Sequence, residues 1–342
     1  PFIFRKKFNQ KYILIESDDW GLQGSLSYDG VELLENKFTR GDFSRWTTDS
    51  IETVEDLHLL YDLLKKYKNS FEKPPIITGN FITHNINYNS KNNLTYVPLS
   101  DYLKNNSELN KMYNRGISDN LLRPQLHGFS HYNHQKLISF LKTDLGQELF
   151  DIGFLTGYST MRNIPNEFKG ELNFHNRDNS IIEKIKLSVD EFYKTFGYYS
   201  ESIIPPHFIF DMELVKIIKK HNIQTIQACN RLVNNNEKRL RKIYFRQQKG
   251  LYWFPRNVRL DPHEDYGFYA KDCLHLIEKA FRYKMPAIID FHRVNISGNY
   301  NPSYRDRTLI ELSKFSTEVF ISINPEFSPI GNAPALQSFK PL

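Results

Sequence analysis

Short apolar runs alternate with longer stretches of helical spacing along most of the chain. Apolar runs over 12–16, 76–82 and 286–292 are typical of buried strands. Apolar residues recur every three or four positions over 51–68 and 180–196, which predicts amphipathic helices. Weaker patterns predict further helices at 134–150, 211–221 and 304–315 and further strands at 203–204, 224–226 and 319–323. This alternation predicts βαβ units and therefore an α/β fold with a parallel sheet or barrel.

Two stretches lack such periodicity. Residues 85–122 are rich in Asn, Ser, Lys and Tyr, which predicts a long insertion. Residues 324–342 contain four prolines, which predicts an irregular tail. A length of 342 residues suits either one α/β barrel with insertions or two domains.

Polar side chains stand at three predicted strand ends: Asp18 with Asp19, His127, and His292. Active sites of parallel α/β folds gather at the carboxyl ends of strands, so these side chains are expected to share one site. Adjacent carboxylates at the end of an apolar strand are costly to bury unless they bind a cation or a hydrogen-bond donor. One of the two could bind a metal while the other acts as a base; a helix N-cap followed by a loop is the alternative.

Two histidines, His127 and His131, are four residues apart. On a helical turn their rings would face the same way and could share a metal ion. Gly128 stands where the His-Glu-x-x-His motif of metalloproteases has its glutamate, so that base is missing. His292 could protonate a leaving group, and the alternative is a histidine at the edge of the core that binds backbone.

Composition narrows the class of protein. Aromatic residues make up 14% of the chain, which excludes wholesale disorder. No apolar run approaches the ~18–20 residues of a membrane span. The formal net charge of +6 is a mild excess of basic residues, and no nucleic-acid partner is expected from it. The densest basic run, 238–242, is predicted to be a solvated loop or hairpin, and contact with a polyanion is the alternative. The chain starts at Pro1 without an apolar signal region, and we expect nothing about its localisation from that.

Cys229 and Cys273 have no CxxC spacing, so no structural zinc motif is expected. Both have apolar neighbours, and buried free thiols are the prediction. A disulfide between them is the alternative.

Four motifs follow each other in an order that resembles the polysaccharide deacetylases of carbohydrate esterase family 4. They are Asp18-Asp19, His127 with His131, the segment Ile203-Ile204-Pro205-Pro206-His207, and His292. The resemblance extends over roughly 12–323. It implies a distorted (β/α)7-type barrel and a hydrolase that removes N- or O-linked acetyl groups from a polysaccharide or sugar.

The resemblance also implies a role for each motif residue. Asp18 resembles the catalytic base and His292 the general acid. Asp19, His127 and His131 resemble the ligands of a divalent metal, most often zinc. A backbone N–H of the Pro206-His207 turn would help to hold the oxyanion, and Trp253 would wall the sugar pocket. The side chains expected to contact substrate are Trp20, Pro206, His207, Trp253, Arg256, Arg293 and Asn295.

Some positions depart from that family. Ile204 stands where the family has an arginine that orients the base, and Arg256 or Arg259 could replace it. Asp261 and Asp265 are the possible partners of the catalytic histidine. These departures leave open a non-catalytic carbohydrate-binding protein of the same fold. A glycosidase with paired carboxylates is a further alternative, but it leaves both metal-site histidines without a role.

The predicted site also bears on domain organisation. Because Asp18 and His292 would belong to one site, we expect a single barrel domain over 1–323. Insertions of about 20–75 and 85–122 would enlarge it, and 324–342 would be the tail.

Overall fold

A computed structural model describes most of the chain, namely residues 7–37, 45–68, 72–90, 94–153, 180–228, 246–262, 267–323 and 325–327. The basic run 238–242, Cys229 and Asp265 lie outside these residues. Cys273 is a buried free thiol, as expected. None of the described helices is long and apolar enough to cross a membrane.

One large sheet organises the described part of the chain. Its strands are β1 (Tyr12–Trp20), β2 (Ile77–Ile82), β5 (Leu122–Gly128), β6 (Ser202–Ile203), β7 (Thr225–Ala228), β8 (Arg246–Gln248), β9 (Leu251–Pro255), β10 (Val258–Arg259), β11 (Ala287–His292) and β12 (Glu326–Phe327). The order is β10-β11-β1-β2-β5-β6-β7-β9-β8, and β12 pairs with β1. Strands β10 to β9 of this order run parallel in a curled half-barrel, and only β8 pairs in the antiparallel sense among the pairings of the described sheet. The predicted α/β barrel of (β/α)7 type is therefore confirmed.

Helices pack around this sheet, and some of them pack on one another or on a small hairpin instead of on its strands. They are α1 (Tyr28–Lys37), α2 (Val54–Lys65), α3 (Leu99–Asn105), α4 (Ser107–Ser118), α5 (His134–Phe140), α6 (Asp144–Asp151), α7 (Ser180–Phe196), α8 (Val215–Lys220), α9 (Ala270–Arg282) and α10 (Pro302–Ser322). A small hairpin, β3 (His84–Ile86) with β4 (Tyr96–Pro98), stands apart from the main sheet. Helix α2 begins with a capping box, in which Thr53 Oγ1 accepts from the Asp56 amide at 3.1 Å and Asp56 Oδ2 accepts from the Thr53 amide at 2.9 Å.

Apolar side chains from both layers form two main cores. One lies between β1, β2 and β11 and the helices around them, and includes Ile15, Phe81 and Phe315. The second lies between β6, β7 and β9 and helices α7 and α8, and includes Phe192 and Trp253. Packing of the helices on a parallel sheet leaves the carboxyl ends of the strands open at one edge, which is where the polar strand ends lie.

The predicted long helix over 180–196 and the strand over 286–292 are confirmed. The sequence shows no clean periodicity over 85–122, yet the structure has regular elements in this segment. Helices α3 and α4 fill much of it, because Leu103 and Tyr113 pack into the first core. Each of these helices buries only a few apolar residues. The many polar residues between them therefore hid the helical spacing in the sequence.

The predicted last strand over 319–323 was wrong. This segment is the end of α10, whose buried Leu312, Phe315 and Val319 follow helical spacing. A short apolar run does not by itself distinguish a strand from a buried helical face. The helix predicted over 134–150 is two helices, α5 and α6, and that predicted over 211–221 is a 3-10 turn followed by α8.

Candidate metal-binding site

A cavity opens at the carboxyl ends of the parallel strands. Strands β1, β5 and β11 and the turn after β6 contribute most of its polar side chains. The lining residues are Asp18, Asp19, Trp46, His127, His131, Pro205, His207, Phe208, Arg259, Asp290 and His292. The sequence motifs at both ends of the chain therefore meet in one cavity.

Asp18 and Asp19 both line this cavity, although adjacent residues of a regular strand point to opposite faces. The pairing of β1 with β2 shifts register between Ser17 and Trp20, and Asp19 has a left-handed backbone with φ of 68°. This irregularity turns the second carboxylate to the same side as the first. Asp18 and Asp19 can therefore line the same cavity only because the backbone of β1 is distorted at Asp19.

Three possible ligand atoms converge at the inner wall of the cavity. Asp19 Oδ1 lies 3.3 Å from His127 Nε2 and 3.2 Å from His131 Nε2. His127 Nδ1 donates to the Ile204 carbonyl at 2.8 Å, which leaves the lone pair of Nε2 directed at the cluster. Asp19 Oδ1 and His127 Nε2 are buried and lack a hydrogen-bond partner among the described residues.

This cluster fits a divalent metal. Tetrahedral zinc with bonds of about 2.0–2.1 Å spaces its ligand atoms about 3.3 Å apart, close to the separations found here. Two nitrogens and one oxygen form a usual donor set for zinc. Buried acceptors without a donor between them are costly, and a cation would satisfy both at once.

The charges of the cluster favour ionised Asp19. Burial by itself would raise the pKa of Asp19, but the neighbouring His131 and His127 hold it well below its usual range. The pKa of His127 is raised despite burial, because the carboxylates of Asp19 and Asp18 lie close to its ring. Each partner therefore stabilises the charged form of the other.

The two histidines do not lie on one helical turn, contrary to the sequence-based expectation. His127 is in strand β5, His131 is in the loop before α5, and Gly128, the last residue of that strand, has a φ of 109°. Such a φ favours glycine, which explains why a glycine stands where metalloproteases have a glutamate. The spacing still brings both rings to Asp19.

Asp18 is held by an arginine. Arg256 Nη2 donates to Asp18 Oδ1 at 2.5 Å, and Nη1 donates to Oδ2 at 2.7 Å. The same guanidinium binds Glu16 through Nε at 2.7 Å and Asp290 through Nη1 at 2.5 Å. Arg256, one of the two arginines that the sequence suggested as partners of Asp18, therefore binds three carboxyl groups from a buried position.

Asn80 holds Asp18 from the other side. Its Nδ2 donates to Asp18 Oδ1 at 2.9 Å and to Gln227 Oε1 at 2.8 Å. Gln227 Nε2 returns a hydrogen bond of 2.8 Å to Asn80 Oδ1 and donates to Ser202 Oγ at 2.8 Å. A layer of buried amides inside the half-barrel thus fixes the carboxylate of Asp18.

His292 has two neighbours that define its position. Trp46 stands edge-on to its ring, with centroids 5.6 Å apart. A carboxylate oxygen of Asp290 and a ring nitrogen of His292 lie within 4.8 Å of each other. Burial alone would raise the pKa of Asp290, but Arg256 and His292 lower it, so its carboxylate is charged beside the imidazole.

The expected partners of His292 were Asp261 and Asp265. Asp261 instead accepts from Arg259 at 2.8 Å, and Asp265 is outside the described residues. Asp290 takes the position beside the ring. It was present in the strand-end motif, and because residues two apart on a strand face the same side, the pair with His292 could have been predicted.

The turn after β6 reaches the cavity through His207 and Phe208, both of which have left-handed backbones. The ring of His207 lies 4.4 Å from that of His131, measured between centroids. Pro206 is buried at the start of this turn, and its neighbours Pro205 and His207 form the lining. Consecutive non-glycine residues with positive φ are strained, and such strain is found most often where function requires it.

Besides Pro206 and Arg256, four side chains expected to contact substrate lie outside the lining of the cavity. Trp20 is fully buried in the first core against Phe81, and Trp253 is buried in the second core against Phe210. The other two, Arg293 and Asn295, are fully buried in the 3-10 turn after β11. Large aromatic side chains on inner strands pack inward for their apolar area, so Trp20 and Trp253 belong to the cores and not to the wall of the cavity.

Arg256 is the remaining side chain of that expected set. It is buried behind Asp18 and Asp290 and makes its contacts with them. The structure therefore places it as a support of the site and not as part of the wall.

The family model of glycosyl hydrolase family 57 matches residues 88–318. No curated protein matches the chain.

Solved structures with a similar fold come from several carbohydrate-active proteins. The 4-alpha-glucanotransferase from Thermococcus litoralis is 11% identical, with a TM-score of 0.49, over 98% of this chain and 41% of that one. A peptidoglycan deacetylase from Bacillus subtilis is 11% identical, with a TM-score of 0.41, over 97% and 93% of the two chains. A family 4 acetyl xylan esterase from Clostridium thermocellum, in complex with a cobalt ion, is 10% identical, with a TM-score of 0.40, over 96% and 92%.

At these identities the three structures share the fold of this chain. The chain also spans less than half the length of the glucanotransferase, at 41%.

Proposed function

The chain belongs to glycosyl hydrolase family 57, and from the cavity at its strand ends we propose a metal-dependent hydrolase that removes acetyl groups from a carbohydrate. The substrate is an N- or O-acetylated polysaccharide or sugar. Zinc is the metal we expect from the donor set. No nucleic-acid partner forms part of the proposal.

One observation carries this proposal. Asp19, His127 and His131 converge with separations of 3.2–3.3 Å at the wall of a cavity that also contains Asp18 and His292. Hydrolysis of an amide or ester with water needs an electrophilic centre, a base and an acid around one carbonyl group. These five side chains supply the base, the acid and the place for the cation.

A divalent cation bound there would polarise the acetyl carbonyl and lower the pKa of water. Asp18 accepts the proton of the attacking water. Its two oxygens are fixed by Arg256 and Asn80, so the carboxylate does not need to reorganise when the proton arrives.

His292 donates the proton to the departing nitrogen or oxygen. The charged carboxylate of Asp290 stabilises the protonated ring, and Trp46 limits the motion of the ring from the side. We assign contact with the developing oxyanion to the amide of His207, in the turn that lines the cavity.

The name of the family raises a second function, hydrolysis of a glycosidic bond. Glycosidases place two carboxyl groups on either side of that bond. Asp18 and Asp290 are the carboxylates of the lining besides Asp19, and both bind Nη1 of Arg256, so they lie together on one side. Asp19 lies between two histidines. The carboxylates of the described cavity therefore support removal of an acetyl group better than cleavage between sugars.

Metal content and product analysis test the proposal together. The purified protein should bind one equivalent of zinc, and it should release acetate from at least one member of a panel of acetylated glycans. Asp18→Asn should keep the metal and lose about 10²–10⁴-fold in turnover. Asp19→Ala should lose both metal and turnover. His58→Ala, a change at an exposed histidine paired with Asp62, is the control and should alter neither.

Other results would point elsewhere. New reducing ends without acetate would identify a glycosidase, and glycan binding without either product would identify a non-catalytic carbohydrate-binding protein. A wild-type protein that binds no divalent metal would refute the proposed mechanism.

A further inference from the structure

A fully buried arginine, Arg293, contacts the backbone around the proposed metal ligand Asp19. Its Nε donates to the Asp19 carbonyl at 2.9 Å, and its Nη2 donates to the Leu22 carbonyl at 3.0 Å. Arg293 directly follows His292 at the end of β11. It therefore links the end of β11, which carries the proposed acid His292, to the end of β1, which carries Asp18 and Asp19.

Two buried carboxylates hold Arg293 in place. Asp49 binds it through both oxygens, with Oδ2 2.9 Å from Nη2 and Oδ1 2.8 Å from Nη1. Glu52 Oε2 lies 3.4 Å from Nε. Glu52 also accepts from the Gly21 amide at 3.2 Å and from the Tyr113 hydroxyl.

These contacts surround a segment with an unfavourable backbone. Asp19 has a φ of 68°, and the left-handed region costs an L-residue roughly 1–2 kcal/mol. Such a conformation persists only where the surroundings determine it more strongly than local preference does. Here the carbonyls of Asp19 and Leu22 are held by Arg293, and the amide of Gly21 between them is held by Glu52.

The conformation has a direct consequence for the cluster. With a regular strand backbone, Asp19 would point to the face opposite Asp18 and away from His127. The left-handed turn brings its carboxylate within 3.3 Å of both ring nitrogens. Whatever holds this turn also sets how well the three ligand atoms are placed.

A role in stability alone would not require this arrangement. Buried ion pairs often contribute little net stability, because desolvation of the charges offsets their attraction. Hydrogen bonds from Arg293 to the carbonyls of Asp19 and Leu22 form only when the backbone of that segment has this conformation. An ion pair with Asp49 alone would not depend on the backbone of Asp19.

We propose that Arg293, with Asp49 and Glu52 as its counter-charges, is a positioning residue that holds the backbone of Asp19 in the orientation needed to bind the metal. This inference rests on the proposed function, since it assumes that Asp19 binds a divalent cation. Arg293 itself does not line the cavity and acts only through Asp19.

Arg305 offers a matched control. It is also a buried arginine, and its Nη1 donates to the buried Asp56 at 2.9 Å. Its other carboxylate partners are Glu55 and Asp306. A lysine at either position keeps the charge but loses the planar donor fork. Comparison of the two lysine variants therefore separates loss of a buried ion pair from loss of support for Asp19.

The experiment measures zinc affinity, the visible spectrum of the cobalt-substituted protein and thermal stability for the wild type, Arg293→Lys and Arg305→Lys. We expect both variants to lose thermal stability. Arg293→Lys alone should bind zinc 10–100-fold more weakly, the range usual for partners that orient a ligand, and should shift the cobalt spectrum. Arg305→Lys should match the wild type in affinity and spectrum.

Asp49→Asn provides a second variant if Arg293→Lys does not fold. An asparagine keeps an acceptor for Arg293 but removes the charge, so we expect a smaller loss of affinity in the same direction. Equal zinc affinity of the folded Arg293 or Asp49 variant and the wild type would overturn the inference while leaving the proposed function intact. Absence of any metal binding by the wild type would instead overturn the proposed function, and this inference with it.

Discussion

Both oxygens of Asp18 are bound by one guanidinium, that of Arg256, at 2.5 and 2.7 Å. A bidentate pair of this kind fixes the plane of the carboxylate as well as its position. Arg256 follows strand β9, whereas Asp18 lies in β1, so the contact spans 238 positions of sequence. The site depends on this link across the half-barrel.

Replacement of Arg256 should disable the base without removing the metal. Arg256→Lys retains a positive charge but cannot bind both oxygens of Asp18. We expect kcat to fall on the order of 100-fold, as for loss of a positioned general base. Acetate release and zinc content, measured on the same preparation, check this.

The matching variant is Arg259→Lys. Arg259 lines the same cavity but pairs with Asp261 at 2.8 Å. It should lose less turnover than Arg256→Lys. The reverse order would mean that Arg259, the other arginine suggested by the sequence, orients the base.

The sequence predicted the strand ends well and their supports poorly. Asp18, His127 and His292 stand out because polar residues are unexpected after apolar runs, and the structure brings them to one cavity. Their supports come from elsewhere in the chain. Asn80 lies in strand β2 together with the polar Thr78 and the small Gly79, and Arg256 follows a strand of ordinary composition.

The aromatic residues show a second limit of the sequence. Trp20, Trp46 and Trp253 have the same chemistry, and only packing decides which of them faces the cavity. Two lie on central strands of the sheet and fill the cores, whereas Trp46 lies in a 3-10 turn beside His292. Solvent exposure of a tryptophan follows from the twist and closure of the sheet, which no local pattern encodes.

Trp46 and Trp253 should therefore respond differently to substitution. Trp46→Ala should lower kcat/KM about tenfold or more, because it removes the wall beside His292 and one face for substrate. Trp253→Ala should instead lower the free energy of unfolding by about 3–5 kcal/mol through a core cavity. Urea unfolding and steady-state kinetics on both variants distinguish the two effects. A large kinetic defect in a Trp253→Phe variant with wild-type stability would restore that residue to the substrate wall.

Bound metal should stabilise the fold through its three buried ligands. Zinc at a free concentration one hundred times its dissociation constant should add about 2.7 kcal/mol to the free energy of unfolding. A chelator should remove this increment from the wild type and from His58→Ala. It should leave His131→Ala unchanged, since that variant lacks a ligand. An equal response of His131→Ala and the wild type to chelator would place the metal elsewhere.

Stability of the metal-free protein should fall as pH rises, because of Glu16. Burial raises the pKa of Glu16 from 4.5 to about 8, although Arg256 opposes this. The folded state therefore keeps a proton on Glu16 that the unfolded chain releases above pH 4.5. That contribution to stability is fully present below pH 4.5 and is lost as pH rises through 8. Between these values the slope is about −1.4 kcal/mol per pH unit at most.

Glu16→Gln removes this dependence because the amide does not ionise, while its oxygen can still accept from Arg256. We expect the wild type to lose stability relative to Glu16→Gln between pH 5 and 8. Urea unfolding of both proteins at pH 5.5, 6.5 and 7.5, with chelator present throughout, measures the difference. If the two free energies of unfolding changed in parallel over this range, Glu16 would be ionised in the folded protein. All three partners of Arg256, namely Glu16, Asp18 and Asp290, would then be negatively charged.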